Sequence, residues 1–207
     1  MKKYFVLGTL LVLLFVARIC VVDVISVPRG QCPRSGGWAL VSRWAYGYRL
    51  PWNAQERWQY EAAQVGDWIA YNHPASERQD HPDTTAICVG CCAAGPGDTL
   101  WYNNDTGRIS DHPDRKNGFT HQLVVPKRWD RMPIDNDNLR FYAITIMLHE
   151  PVKASIVNDS LCVSGHIVKE YVFQQDYYWI SNDEPKNRLD SRSFGFVPHA
   201  ALIGRIL

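Results

Sequence analysis

The sequence predicts a mostly β protein of antiparallel strands, with one helix and an apolar N-terminal segment. Three observations predict it. Short apolar and aromatic runs recur along the chain and are cut by Gly, Pro, Asn and Asp. A single stretch, Leu139 to His149, reads as a helix with apolar residues on most faces, although Ile144-Thr145-Ile146 would also suit a strand. Eight tryptophans and ten tyrosines suit a β-rich body or a surface that meets a membrane.

Met1-Lys2-Lys3 opens the chain, and an apolar run from Tyr4 to Val22 follows, broken only by Arg18. As a helix the run reaches ~28 Å, close to the ~30 Å hydrocarbon core. It is read as an uncleaved transmembrane anchor. Lys2 and Lys3 hold its start in the cytoplasm, and Arg18 snorkels to the far headgroups. The rival is a cleaved signal peptide with Phe5 to Ala17 as its apolar region, but no clean small-residue cleavage site follows. Both place the bulk of the chain outside the cytoplasm.

Trp38 to Trp44 and Trp68 to Tyr71 read as strands, the latter opened by Gly66-Asp67 and stopped near Pro74. Ala86 to Ala93 is a small, apolar strand ending at the Gly95-Pro96-Gly97-Asp98 turn, and Thr99 to Tyr102 resumes. Asn103 to Asn117 is polar and reads as exposed loop. Asp135 to Asn138 offers capping side chains for the Leu139 to His149 helix. A hairpin follows, Ala154 to Val157 and Leu161 to Val163 about Asn158-Asp159, with a turn at Ser164-Gly165. Tyr171 to Phe173 and Tyr177 to Ile180 are the last strands before a polar run, Ser181 to Pro198.

The 22 basic and 21 acidic side chains nearly cancel, so no basic excess points to nucleic acid. The six cysteines are Cys20, Cys32, Cys88, Cys91, Cys92 and Cys162. Cys88-x-x-Cys91 has half the spacing of a zinc site, but no second pair completes it. Strand alternation puts Cys88 and Cys92 on one face and Cys91 on the other, as small apolar residues. No metal and no cofactor are expected.

Motifs along the whole chain resemble signal peptidase I, a membrane-anchored Ser-Lys endopeptidase of signal peptides. They are the apolar anchor, Tyr46-Gly47-Tyr48-Arg49-Leu50-Pro51, Gly66-Asp67, Pro96-Gly97-Asp98, Asp176-Tyr177-Tyr178-Trp179, and Asp190-Ser191-Arg192 before Gly195-Phe196-Val197-Pro198. The resemblance implies a transmembrane helix and a signal-peptidase-like antiparallel β body with an inserted second region. Residues 1–24 would be cytoplasmic tip and anchor, 25–101 and 171–207 the core β domain, and 102–170 the insertion with the helix and the hairpin.

In that family a serine hydroxyl attacks the peptide carbonyl and a lysine takes its proton. The hydroxyl is a poor nucleophile without a base, and a lysine is a base only when burial keeps it neutral. A second serine helps to hold the oxyanion, and a third orients the lysine. Aligned from Pro28, the nucleophile position falls on Gln31 and the oxyanion position on Arg29. Aligned back from Pro96-Gly97-Asp98, the lysine position falls on Gly90, and its arginine neighbour on Cys91. The lysine-orienting position falls on Arg188, and no lysine lies between Lys3 and Lys116.

Two substitutes stand beside bland alternatives. Cys32 is a thiol that needs less activation than a hydroxyl, with His73, His81 or His121 as base; alternatively it packs where the family has a methionine. Ser35 is a candidate nucleophile or a turn serine against Gly36-Gly37. Asp190, Ser191 and Arg192 read as a structural signature, with an Asp190–Arg192 pair bracing the strand below the cleft. The favoured reading is a non-catalytic homologue that binds signal peptides of exported preproteins. The alternative is an active endopeptidase using Cys32 or Ser35. Implied partners are signal peptides or preproteins, the lipid bilayer and an active signal peptidase. The implied place is the inner cell membrane, single-pass, with the body outside. Trp38, Trp44, Trp52 and Trp58 face either the bilayer or the core.

Overall fold

The computed structural model of the chain describes residues 4, 6, 8, 9, 22–27, 37–50, 53–58, 61–73, 87–103, 109–110, 112–182 and 190–207, with the side chains of 48–50 and 53–58 excepted. In chain order the strands are β1 (Val22–Val27), β2 (Gly37–Ser42), β3 (Tyr48–Leu50), β4 (Asn53–Trp58), β5 (Trp68–Asn72), β6 (Ile87–Ala94), β7 (Thr99–Tyr102), β8 (Ile109–Ser110), β9 (His121–Val124) and β10 (Arg131–Pro133). Helix α1 (Leu139–His149) comes next, then β11 (Ala154–Val157), β12 (Ser160–Val163), β13 (His166–Val168), β14 (Glu170–Val172) and β15 (Tyr177–Ser181). A short α2 (Ser191–Phe194), β16 (Val197–Pro198) and β17 (Leu202–Ile206) close the chain.

Seven strands form one antiparallel sheet in the order β1-β2-β17-β5-β6-β15-β16. They come from residues 22–94 and 177–206. Residues 99–172 supply α1 and three small sheets, β8-β7-β9, β10-β14 and β11-β12-β13.

Alternation along the central strands gives the large sheet two apolar faces. Ile69, Tyr71, Cys88, Cys92 and Ile180 pack on one face with Tyr46, Tyr178, Phe194 and Leu202. Ala70 and Val89 point the other way and meet Ile25, Val27 and Val41. Since β1 and β6 are separated by three strands, that contact shows the sheet to be curled. A third core joins the large sheet to the 99–172 region, where α1 buries Tyr142, Ala143 and Ile146 beside Trp179, Phe173 and Phe196.

The helix has the bounds that its sequence pattern predicts. Its cap differs. The Asn138 side chain does not cap α1. Asp135 Oδ1 instead accepts the N–H groups of Asp137 and Asn138 at 3.0 and 2.9 Å, closing a turn before the helix. The Trp38 to Trp44 strand stops at Ser42, where a turn closes with the Gly47 N–H donating to the Trp44 carbonyl. Asn103 is buried rather than exposed, and its amide donates to the Asn117 carbonyl at 2.6 Å.

The N-terminal reading needs one correction. Val22, counted in the apolar run, is the first residue of β1, which pairs with β2 from Val22↔Ser42 to Val27↔Gly37. Its β-branched, alternating sequence favours a strand. Tyr4, Val6, Gly8 and Thr9 are helical, and the rest of residues 1–21 lies outside the described residues. Among the described residues no helix is long and apolar enough to cross a membrane.

Candidate functional site

The C-terminal signature builds a closed hydrogen-bond brace. Asp190 is fully buried and caps α2, its carboxylate accepting the Arg192 N–H at 3.0 Å. The same carboxylate receives Arg192 Nε at 2.8 Å and Nη2 at 2.5 Å, and the Asn182 N–H at 3.2 Å. Arg192 Nη2 also donates to the Asn182 carbonyl and side-chain oxygens, at 3.3 and 3.2 Å. Ser191 Oγ accepts the Ile180 N–H at 2.9 Å. Bonding to Asp190 holds the Arg192 guanidinium above its ordinary pKa. Gly195 then ends α2 at φ 83°, a backbone angle that favours glycine.

A second network ties other shared motifs together. The Tyr46 hydroxyl donates to Asp67 Oδ2 at 3.1 Å, which also accepts the Gln64 N–H, and Arg205 approaches Asp67 Oδ1 at 3.7 Å. His199 bridges the Tyr178 hydroxyl at 3.0 Å and the Tyr46 carbonyl at 3.2 Å. The Gly66 N–H donates to the Cys92 carbonyl, and the Cys92 N–H to the Asp67 carbonyl, both at 2.8 Å. Asp98 Oδ2 accepts the Gly95 N–H at 2.8 Å and closes the Pro96-Gly97 turn. These residues hold backbone; none forms a nucleophile–base pair.

Gly90, where the sequence alignment from Pro96-Gly97-Asp98 would put the family's lysine, is of another kind. Gly90 sits in β6 beside β15, which pairs there as Cys91↔Ser181. A Cβ at Gly90 would lie 2.5 Å from Ile180 Cγ2 and 3.0 Å from the Ser181 carbonyl oxygen. No side chain fits at that point unless Ile180 and the backbone of β15 move. The described lysines, Lys116, Lys127, Lys153 and Lys169, are all exposed. Burial is what would keep a lysine neutral at working pH, so among the described residues no lysine has the surroundings of a base.

The other positions read from the sequence divide clearly. Arg29, Gln31, Cys32, Ser35, His81 and Arg188 lie outside the described residues. His73 is half-buried against Phe194, ring centroids 4.9 Å apart, and burial lowers its pKa. His121 pairs with Asp137 at 3.3 Å in the 99–172 region, beside Tyr102. Cys88 and Cys92 are buried on one face, while Cys91 is partly exposed. Burial pushes the Cys88 thiol up to about 11 and the Cys92 thiol to about 12, so both stay protonated and unreactive. Among the described residues no cluster of three or more His, Cys, Asp or Glu is placed to hold a metal ion.

Sequence reasoning did not single out Glu150. This buried carboxylate accepts the hydroxyls of Tyr177 and Tyr171 at 2.6 and 3.1 Å and the Gln174 N–H at 3.1 Å. Its position at the end of α1, with tyrosines following, gave no local signal. Trp38 is 80 % exposed and Trp44 54 %, so neither is a core residue. Trp52 lies outside the described residues, as does the side chain of Trp58.

No curated protein matches the chain. A protein-family signature described as signal peptidase, peptidase S26, matches residues 1–207. That match spans the anchors whose hydrogen bonds hold the curled sheet, and the chain belongs to the signal peptidase S26 family.

Proposed function

We propose that this family member is a non-catalytic homologue that binds the signal peptides of exported preproteins without cutting them by a Ser-Lys dyad. The observation that carries this reading is the packing at Gly90, where the family's base has neither a side chain nor space for one. Family membership supports the ligand class, because signal peptidases act on chains that carry signal peptides. An extended peptide adds to a β surface through main-chain hydrogen bonds, and that interaction survives loss of the dyad.

The proposed place is a membrane surface, with the body outside the cytoplasm and an active signal peptidase as a partner. Trp38 and Leu40 share one face of β2, and the Leu207 N–H donates to the Leu40 carbonyl. Leu40 is 51 % exposed and Leu207 57 %, so with Trp38 they form an apolar edge suited to a bilayer interface. We also propose that residues 25–101 and 171–207 act as the binding core, with 102–170 as an insertion.

A preprotein carrying a photo-crosslinker in its signal peptide tests the reading. The expected outcome is a crosslink to the full-length chain in membranes, with the preprotein intact, and none to the same preprotein lacking its signal peptide. Equal crosslinking of both forms contradicts it.

A further inference from the structure

Beside the Asp190–Arg192 brace lies a cavity of about 500 Å³ that the peptide reading does not use. Ligand sites commonly occupy about 300–1,000 Å³. Leu100, Ile109, Phe119 and Trp179 form its apolar wall, and Ser181 and Arg192 its polar end. It therefore lies between the β6–β15 edge and the small β8-β7-β9 sheet.

The polar end has unused donors. Arg192 gives Nε and Nη2 to Asp190 and Asn182. Its Nη1 makes no hydrogen bond among the described residues, and the side chain is 35 % exposed. The Ser181 hydroxyl is likewise without a side-chain hydrogen bond among the described residues. The guanidinium already faces one carboxylate, so the pair is close to neutral. A second, singly charged acceptor gains a charge-assisted hydrogen bond there, whereas a dianion meets repulsion from Asp190.

We infer that this cavity binds a small monocarboxylate with an apolar body, its carboxylate on Arg192 Nη1 and the Ser181 hydroxyl, its apolar part against Leu100, Ile109, Phe119 and Trp179. The same chemistry is offered by a free arylalkanoic or medium-chain acid and by the C-terminal carboxylate of a peptide ending in an apolar residue.

The test uses the full-length chain in lipid nanodiscs, with 4-phenylbutanoate as probe and ligand-observed NMR as readout. The acid is expected to bind about tenfold more tightly than 4-phenylbutanamide, the loss expected when a charged acceptor is replaced. 4-Phenylbutylphosphonate is expected to bind no more tightly than the acid. Ile109→Trp, which fills the cavity without touching the brace, is expected to weaken the acid by about tenfold, and Ser181→Ala by about threefold. Should Ile109→Trp fail to fold, Phe119→Trp tests the same wall. A short peptide ending in Phe, as free acid and as amide, then assigns the source: acid-selective binding that competes with the probe points to peptide ends, and no competition to the free acid. Equal affinity for acid and amide, tighter phosphonate, or undiminished binding in a folded cavity-filled variant overturns the inference.

Discussion

Two neighbouring parts of the large sheet differ in what their side chains do. On β15 and α2, Asp190, Ser191 and Arg192 complete a brace in which the buried carboxylate is satisfied by a guanidinium and two backbone N–H groups. On β6, one strand away, Gly90 carries no side chain, and Ile180 stands where one would go. The first region ties backbone together, and the second has no space for a side chain at the position where we propose the family's base would stand. Fold and chemistry therefore rest on different residues. On the proposed reading, a chain can hold the curled sheet through Tyr46, Asp67, Asp98 and Asp190 without the family's base.

The largest effect is expected from breaking the brace. Arg192→Ala leaves Asp190 buried without its cation, and removing one partner of such a pair costs about 3–5 kcal/mol. Because Arg192 is partly exposed, the low end is expected. Chemical denaturation of the full-length chain measures it, and a loss below about 1 kcal/mol would show that the brace does not hold the strand.

The next largest comes from Gly90. Gly90→Ala is expected to destabilise by about 1–3 kcal/mol through overpacking against Ile180. The double variant Gly90→Ala, Ile180→Ala should recover part of that loss relative to additivity, since the two sites touch. Additive losses would show that the space at Gly90 is not what the packing indicates.

The smallest concerns Glu150, which belongs to neither region but bonds to Tyr177 at the start of β15. Burial raises its pKa above the usual 4.5. A raised carboxyl gives stability that is fully present below the unfolded-state pKa and is lost as pH rises through the folded-state pKa. Stability should therefore fall across a window that starts near 4.5 and extends upward, and Glu150→Gln should flatten that slope. An unchanged slope in a folded variant contradicts the assignment.

What the sequence made legible follows local pattern. Helix α1 was readable because a long apolar stretch, Leu139 to His149, follows the polar turn Asp135 to Asn138, and β5, β6 and β7 because turns at Gly66-Asp67 and Pro96-Gly97-Asp98 frame them. Of β1, only Val22 was counted in the apolar run, because it continues that run's hydrophobicity, and Asp23 to Val27 were not read as a strand. β17 escaped because Gly204 and Arg205 interrupt a short run at the chain end. The motif order proposes Gly90 as the base position, but that Ile180 fills the space beside it was not legible in the sequence. The Glu150–Tyr177 contact joins residues 27 apart, and no local pattern encodes it.

The central claim is that the chain does not cleave signal peptides by a Ser-Lys mechanism. Its most direct test is preprotein cleavage by the wild type beside Cys32→Ala, Ser35→Ala and single replacements of each lysine. The expected result is no cleavage above background in any of them, as loss of a general base removes about 10²–10⁴ in rate and loss of the nucleophile removes the covalent route. Cleavage lost only in Cys32→Ala would make the protein a cysteine-dependent peptidase. Robust cleavage that vanishes in one serine variant and one lysine variant would contradict the account outright.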